Sequence, residues 1–332
     1  MRILAALTAA RAGSAEVSTG HRGRSSDVRD SAAGRLPAKV NALLLAALPG
    51  ALFIAIWSSG YLVGKIGMRE MSALTLLWWR FLVAAVVMGA VAIATRARWP
   101  RRPMAWIHLI VTGFVLHAVQ FGGIYIGLGM GVSAGLASLI ASAGPLVIAA
   151  IAVPAFGELL RKRQWVGLLL GLLGVAAAVG SELGGGVSVA GLFALLVSLA
   201  AFAGGTLYQK RFGAVMDLRS GLTVQLVVAT AAITPLALGH GGLSIPLTFS
   251  AVWPIVWASL VSSIGGLVLL FVLLRRRGGG AATSYLFLVP PVTALAAIPL
   301  LGQPLEVGAM IGTVLAAVGV ALVTRSAPAP AE

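Results

Sequence analysis

Residues 131–180 read GVSAGLASLIASAGPLVIAAIAVPAFGELLRKRQWVGLLLGLLGVAAAVG, and residues 281–323 repeat their pattern. Gly135, Pro145, Pro154, Gly157, Leu160, Gly167 and Gly174 recur as Gly280, Pro290, Pro299, Gly302, Leu305, Gly312 and Gly319, always 145 positions on (135 to 280, 174 to 319). Lys65 and Lys210 keep the same interval. A fixed self-similarity has to be found before any fold is assigned. In an apolar chain it is the mark of a secondary transporter built from two structural repeats.

The composition demands lipid. Of 332 residues, 59% are hydrophobic and 10% charged, with mean hydropathy +1.00. A soluble domain is roughly 45–50% apolar and about 25% charged, so there is too little charge here to coat a water-facing surface. Cysteine is absent, which excludes disulfides and thiolate chemistry. His21, His108, His117 and His240 are scattered, so no metal site and no cofactor are expected. The net charge of +15 suggests nucleic acid in a soluble chain, but here the cations sit in short breaks between apolar runs, and no nucleic-acid partner is expected.

Residues 1–41 are basic and aperiodic, and they read as a disordered cytoplasmic tail; residues 326–332 read as a C-terminal tail. Between them, ten apolar runs fit the roughly 20 residues a helix needs to cross a bilayer. The spans expected are 43–64, 72–94, 104–127, 132–154, 164–181, 187–209, 219–238, 251–274, 281–301 and 305–324. With both termini cytoplasmic, 21 of the 24 Lys and Arg fall on the inner side, as the positive-inside rule requires. Only Lys65 and Arg69 fall outside, and Arg80 alone lies within a span. Five crossings per repeat is an odd number, so the second copy (184–325) enters the membrane opposite to the first (42–183). The expected fold is therefore all-α: ten transmembrane helices as two inverted five-helix repeats.

Residues 131–180 resemble the EamA domain of the drug/metabolite transporter superfamily: a small-residue helix with a proline near its middle, Gly157-Glu158, a basic turn, then a glycine-rich helix. WSSGYLVGK (Trp57–Lys65) and WWRFLVAA (Trp78–Ala85) are similar to that family's first two helices. The resemblance implies a carrier that usually exports small metabolites or drugs, set in a plasma membrane of bacterial inner-membrane type. One departure stands out: Gly157-Glu158 becomes Gly302-Gln303 in the second copy, with Glu306 nearby.

The candidate substrate-binding residues follow from depth and polarity. Pro145 and Pro290 interrupt matching helices, with Pro291 adding to the second break. Matched interruptions point to a binding site, although a plain structural kink accounts for either proline alone. Arg80 can hold a substrate carboxylate; the alternative is a structural arginine on backbone carbonyls or snorkelling outward. His117 titrates near neutrality and is the one deep residue able to relay protons, unless it merely packs with a hydrogen bond; Gln120, three residues on, shares its α-helical face. Trp57, Tyr61, Ser138, Ser142, Gln225 and Tyr285 complete a mixed aromatic and polar lining, whereas Tyr208 and Gln209 read as interface anchors.

Glycines four apart (Gly60/Gly64, Gly123/Gly127/Gly131, Gly167/Gly171) let helices approach closely; a homodimer is compatible with this spacing and not proved by it. Gly131-Val132-Ser133-Ala134-Gly135 matches a GxSxG nucleophile elbow but lacks the strand such an elbow needs. The expectation is thus a non-enzymatic carrier with a small-molecule substrate, lipid around it and protons as the candidate coupling ion. The rivals are an intramembrane lipid-modifying enzyme and a non-transporting scaffold.

Overall fold

Apolar runs of this length have one way to satisfy their backbone inside lipid, and that is to coil. A computed structural model describes residues 38–156, 162–212, 217–277, 285–304 and 307–324. Helix α1 is Ala38–Gly67, α2 is Ala73–Ala94 and α3 is Pro103–Gly129. The next apolar run is divided into α4 (Ala134–Ser142) and α5 (Gly144–Phe156). Then come α6 (Lys162–Gly184), α7 (Val189–Phe212) and α8 (Leu218–Gly239). Helix α9 runs from Phe249–Val256 through Trp257–Gly265 into Gly266–Arg277. Two shorter helices follow, α10 (Val289–Leu301) and α11 (Val307–Thr324). The architecture is all-α and multi-pass: among the described residues eight helical runs are long and apolar enough to cross a membrane, and two shorter apolar helices join them.

Several expectations meet residues that are not described: most of the N-terminal tail, the Gly157-Glu158 turn, Leu160, Arg161, Gly280, Leu305, Glu306, Arg325 and the C-terminal tail. Two expected spans differ in form. The run 132–154 is broken at Ala143, where the carbonyl that an uninterrupted helix would offer to residue 145 has no N–H to meet because Pro145 has none. In the second copy, Tyr285 and Leu286 are helical, Phe287 and Leu288 form a turn, and helix resumes at Val289 with Pro290 and Pro291 at its head. That is where proline is welcome, since the first N–H groups of a helix have no intrahelical partner.

Packing follows the small residues. Gly174 lies so close to Gly312 that a Cβ at Gly174 would stand 2.5 Å from the Gly312 carbonyl and 2.6 Å from the Ala316 nitrogen. Gly319 meets Gly167 in the same way, 2.5 Å from its carbonyl. Helices α6 and α11 therefore run antiparallel with their backbones in contact, the arrangement small residues permit in lipid. Helices α2 and α8 are also antiparallel. Trp78 Nε1 donates to Thr234 Oγ1 (2.9 Å) at one level, and Gly89 faces Thr223 at another. At one end of this pair Thr75 donates to the Gly242 carbonyl (2.7 Å); at the other Ser220 donates to the Arg98 carbonyl (2.7 Å). Leu169, Leu172, Leu173 and Val314 are exposed along α6 and α11, as side chains facing lipid would be. All of these contacts lie within one compact unit, Leu45–Glu332.

Candidate functional site

Two of the long helices change pitch in mid-course. In α3, residues Gly113–Val119 form a π-helical segment, and the Gln120 N–H reaches back five residues to the Val115 carbonyl. In α9, Trp257–Gly265 does the same, with the Gly266 N–H on Val261. Shifted by the repeat interval of 145, the first segment falls on residues 258–264, inside the second. Such segments are rare and gather at functional sites.

Each π segment turns polar side chains towards the α2/α8 pair. In the first, His117 Nε2 meets Gln225 Oε1 at 3.1 Å, with Phe121 stacked on the imidazole (6.2 Å, 8°) and Phe81 edge-on to it (6.2 Å). α-Helical spacing predicts Gln120 on the face of His117. The wider π turn instead brings round Phe121, four residues on, while Gln120 is half-buried one residue beyond the segment. In the second, Ser263 Oγ accepts from Arg80 Nε at 3.0 Å, and Tyr125 Oη accepts from Arg80 Nη1 at 3.0 Å. The guanidinium lies over the Phe121 ring, 4.6 Å from its centroid, and 5.7 Å from that of Tyr125. Arg80 is only 5% exposed, so snorkelling is not its role in this conformation. Tyr61 is buried within electrostatic reach of it. Ser262, beside Ser263 in the segment, faces Gly60 of α1 with its hydroxyl buried and without a hydrogen-bond partner among the described residues.

The remaining candidates gather at the broken helices. Ser138 Oγ donates to the Gly135 carbonyl (2.7 Å); Ser142 Oγ donates to Ser138 O (2.8 Å) and reaches Leu286 O across the gap (3.5 Å). Ser58 of α1 donates to the Val289 carbonyl at 3.3 Å, joining α1 to the head of α10. Pro290 is buried and Pro145 half-buried. A cavity of about 300 Å³ opens beside α4, α10 and α11, with Ser133, Leu139, Glu182, Ala294, Gln303 and Thr313 among its walls. Leu139 and Thr313 also wall a smaller void that reaches Ser142, Phe287 and Pro290. Trp57 and Tyr285 pack with Phe53 and Leu273 and also against the main core; Trp57 lies 5.1 Å from the Phe53 ring.

Ser133, the serine of the GxSxG match, caps α4: its Oγ accepts from the Leu136 N–H (3.0 Å) and donates to Glu182. The Ala134 N–H donates to Gln303 Oε1 (3.1 Å), so the glutamine that departs from the first copy's glutamate closes the head of α4. Tyr208, read as an anchor, is bonded to His108 Nδ1 (2.7 Å). Sequence reasoning missed Phe121, Tyr125, Ser262 and Ser263. Applying the 145 interval to the residues already chosen would have found Ser262, because His117 maps onto it, as Arg80 maps onto Gln225.

The model of the EamA-like transporter family matches residues 43–180 and again 189–325. The chain belongs to that family. Among its relatives, the uncharacterized transporter YvbV of Bacillus subtilis (strain 168) is 25% identical over 296 residues, 89% of this chain and 95% of that protein. The uncharacterized inner membrane transporter YedA of Escherichia coli (strain K12) is 26% identical over 77% of this chain and 84% of its own length. A probable amino-acid metabolite efflux pump of the same strain is 27% identical over 56% of this chain and 59% of that protein. A solved crystal structure described only as that of a protein aligns with a TM-score of 0.59 at 21% identity, covering 85% of this chain and 96% of that one, which shows likeness of fold alone.

Proposed function

We propose that this EamA-family membrane transporter is a ten-span carrier that exports small organic metabolites, amino acids or related compounds, or drugs, by alternating access. Its two halves are five-helix repeats of opposite sense, with both termini on the cytoplasmic side. The contacts across α2/α8 support the inversion. Trp78 meets Thr234 while Gly89 meets Thr223; one interval of 145 carries Trp78 to position 223 and Gly89 to position 234. The seam between α6 and α11 is reciprocal in the same way. Reciprocal contacts between equivalent positions are what a two-fold axis relating the two halves requires.

One observation carries the functional reading: the helical interruptions come in matched pairs. The break at Ala143 has its counterpart at Leu288, and each π segment has its counterpart in the other half. Broken helices at corresponding places of two repeats are where carriers of this architecture hold their solutes. The binding region comprises Tyr61, Arg80, His117 and Gln225 on one side and Ser138, Ser142, Pro145 and Pro290 on the other, with Trp57, Gln120 and Tyr285 around them. The names of two relatives, probable amino-acid metabolite efflux pumps, support the solute class.

The test is a solute screen with the purified chain in vesicles, labelled amino acids and related metabolites, and a pH gradient applied or collapsed. Saturable flux of at least one solute is expected. Dependence on the gradient identifies protons as the coupling ion, and equal flux without it identifies facilitation. A substitution that fills the gap between α4 and α10, Ser142→Trp, should abolish flux at normal expression. Unchanged flux in that variant would move the solute path away from this gap, and a screen without any flux would favour a scaffold.

A further inference from the structure

The two π segments carry equivalent polar pairs that have diverged. His117 and Ser262 occupy one repeat position, and Gln225 and Arg80 another. In the first pair an imidazole nitrogen meets an amide oxygen at 3.1 Å. The second pair has donors to spare. A guanidinium carries five N–H groups. Arg80 places one on Ser263 and one on Tyr125, leaving three with no acceptor among the described residues. The Tyr125 hydroxyl accepts from Arg80 and so has its own proton to donate. The Ser262 hydroxyl has no partner among the described residues, although Ser262 is 9% exposed.

A buried cation with unused donors is costly unless an anion meets it. Among the described residues the one ion pair is Arg219–Asp217, far along α8 from this level. The aromatic faces of Phe121 and Tyr125 stabilise the guanidinium, but they accept none of its remaining hydrogens in the plane of the fork. The complement of surplus N–H and O–H donors around one positive charge is a carboxylate, which has two oxygens, about four lone-pair sites and no hydrogen to donate.

We propose that Arg80, Ser262 and Tyr125 form an anion cradle, and that the solute of this carrier bears one carboxylate on a largely apolar body. The guanidinium takes the carboxylate through its free N–H groups. The Ser262 hydroxyl, held ready by the π turn, donates to the same group. The apolar body lies against Phe121. A doubly charged phosphate is a poor match for a single cation. This inference rests on the transport reading above and narrows it to one class of solute.

The experiment uses the full chain, purified and reconstituted, with three carboxylates and their matched carboxamides: leucine, phenylalanine and 4-methylpentanoate. Binding is read by thermal shift and by competition with the solute found in the vesicle screen. At least one acid is expected to bind, with its amide at least tenfold weaker. Arg80→Gln should erase that preference. Ser262→Ala should weaken the acid about tenfold or more, the order expected of one hydrogen bond to a charged group. The melting temperature of the free Ser262→Ala protein should hold or rise, because the hydroxyl removed has no partner among the described residues. Absence of binding by any acid, equal binding of acids and amides, or an acid preference that survives both substitutions overturns the cradle. Flux of a solute without a carboxylate would overturn it too while leaving the transport reading intact; a screen with no flux at all removes that reading instead.

Discussion

By the 145-residue interval the His117–Gln225 pair is equivalent to Ser262 and Arg80, yet His117 bonds Gln225 whereas Arg80 bonds the neighbouring Ser263 and leaves Ser262 unpaired among the described residues. The first joins an imidazole to an amide and is flanked by Phe81 and Phe121. The second carries a full charge, a spare hydroxyl and Tyr125, whose own counterpart is the aliphatic Leu270. Duplication supplied the same frame twice: the π turn, the antiparallel α2/α8 pair, and a polar side chain on each. Divergence at a handful of positions then gave the frame one arginine end and one histidine end. A symmetric scaffold can in this way recognise an asymmetric solute.

The strongest way to break the comparison is to remove the frame beneath both pairs. Gly174→Leu would drive a side chain into the backbone of α11, where even a Cβ has no room. Overpacking typically costs about 1–3 kcal/mol and more against an unyielding backbone. The expected outcome is loss of monodisperse protein on size-exclusion chromatography, with both pairs lost together.

Next in size is the charged end alone. Arg80→Ala should lower flux by about 100-fold, in line with the roughly 2–5 kcal/mol of truncating a buried hydrogen-bonded charge. Arg102→Ala, at the exposed head of α3, should leave flux near normal. Equal, near-normal flux in both variants takes Arg80 out of the site.

The histidine end should respond less in rate and more in pH. His117→Gln keeps a hydrogen-bonding side chain opposite Gln225 and removes the one titratable group of that pair. Flux measured from pH 5.5 to 8 should lose its pH dependence while its maximum falls only several-fold. An unchanged profile discards His117 as the proton carrier.

The smallest effect is expected outside both pairs, at the head of α8. Asp217 caps that helix, accepting from the Arg219 N–H at 3.0 Å and from its guanidinium at 2.7 Å. These bonds, the arginine side chain first, hold the Asp217 carboxyl well below the usual carboxylate range. Its folded pKa lies below its unfolded one, so its contribution is present above about pH 4, the ordinary aspartate value. It is lost as pH falls further, towards the folded value. Asp217→Ala should therefore cost about 1 kcal/mol, a typical N-cap, at pH 7 by thermal melting, with the gap to the unmodified protein closing in acid.

Much of this was legible in the chain. The 145-residue interval, the apolar runs and the sites of the paired interruptions can be read from Gly135, Pro145, Pro290 and their partners without a structure. Arg80, His117 and Gln225 were chosen individually by depth and polarity. Their pairing was not legible, because α-helical periodicity put Gln120 beside His117. The π segments have no sequence mark of their own: GFVLHAV and WASLVSSIG share no proline and no common motif. A change of pitch is decided by how neighbouring helices pack, which no single segment encodes. Tyr125 and Phe121 were passed over because an aromatic in a membrane span is ordinarily lipid-facing or core, and nothing local says that a cation lies above it.

The α6/α11 seam also limits how the molecule can move. Where Gly174 and Gly312 touch, there are no side chains to change rotamer and no gap to close. Two backbones so joined behave like the pin of a pair of shears: the blades may swing, but the pin has no slack. Any opening of the bundle must be taken up elsewhere, at the severed helices and the two widened turns, where the coil is already interrupted.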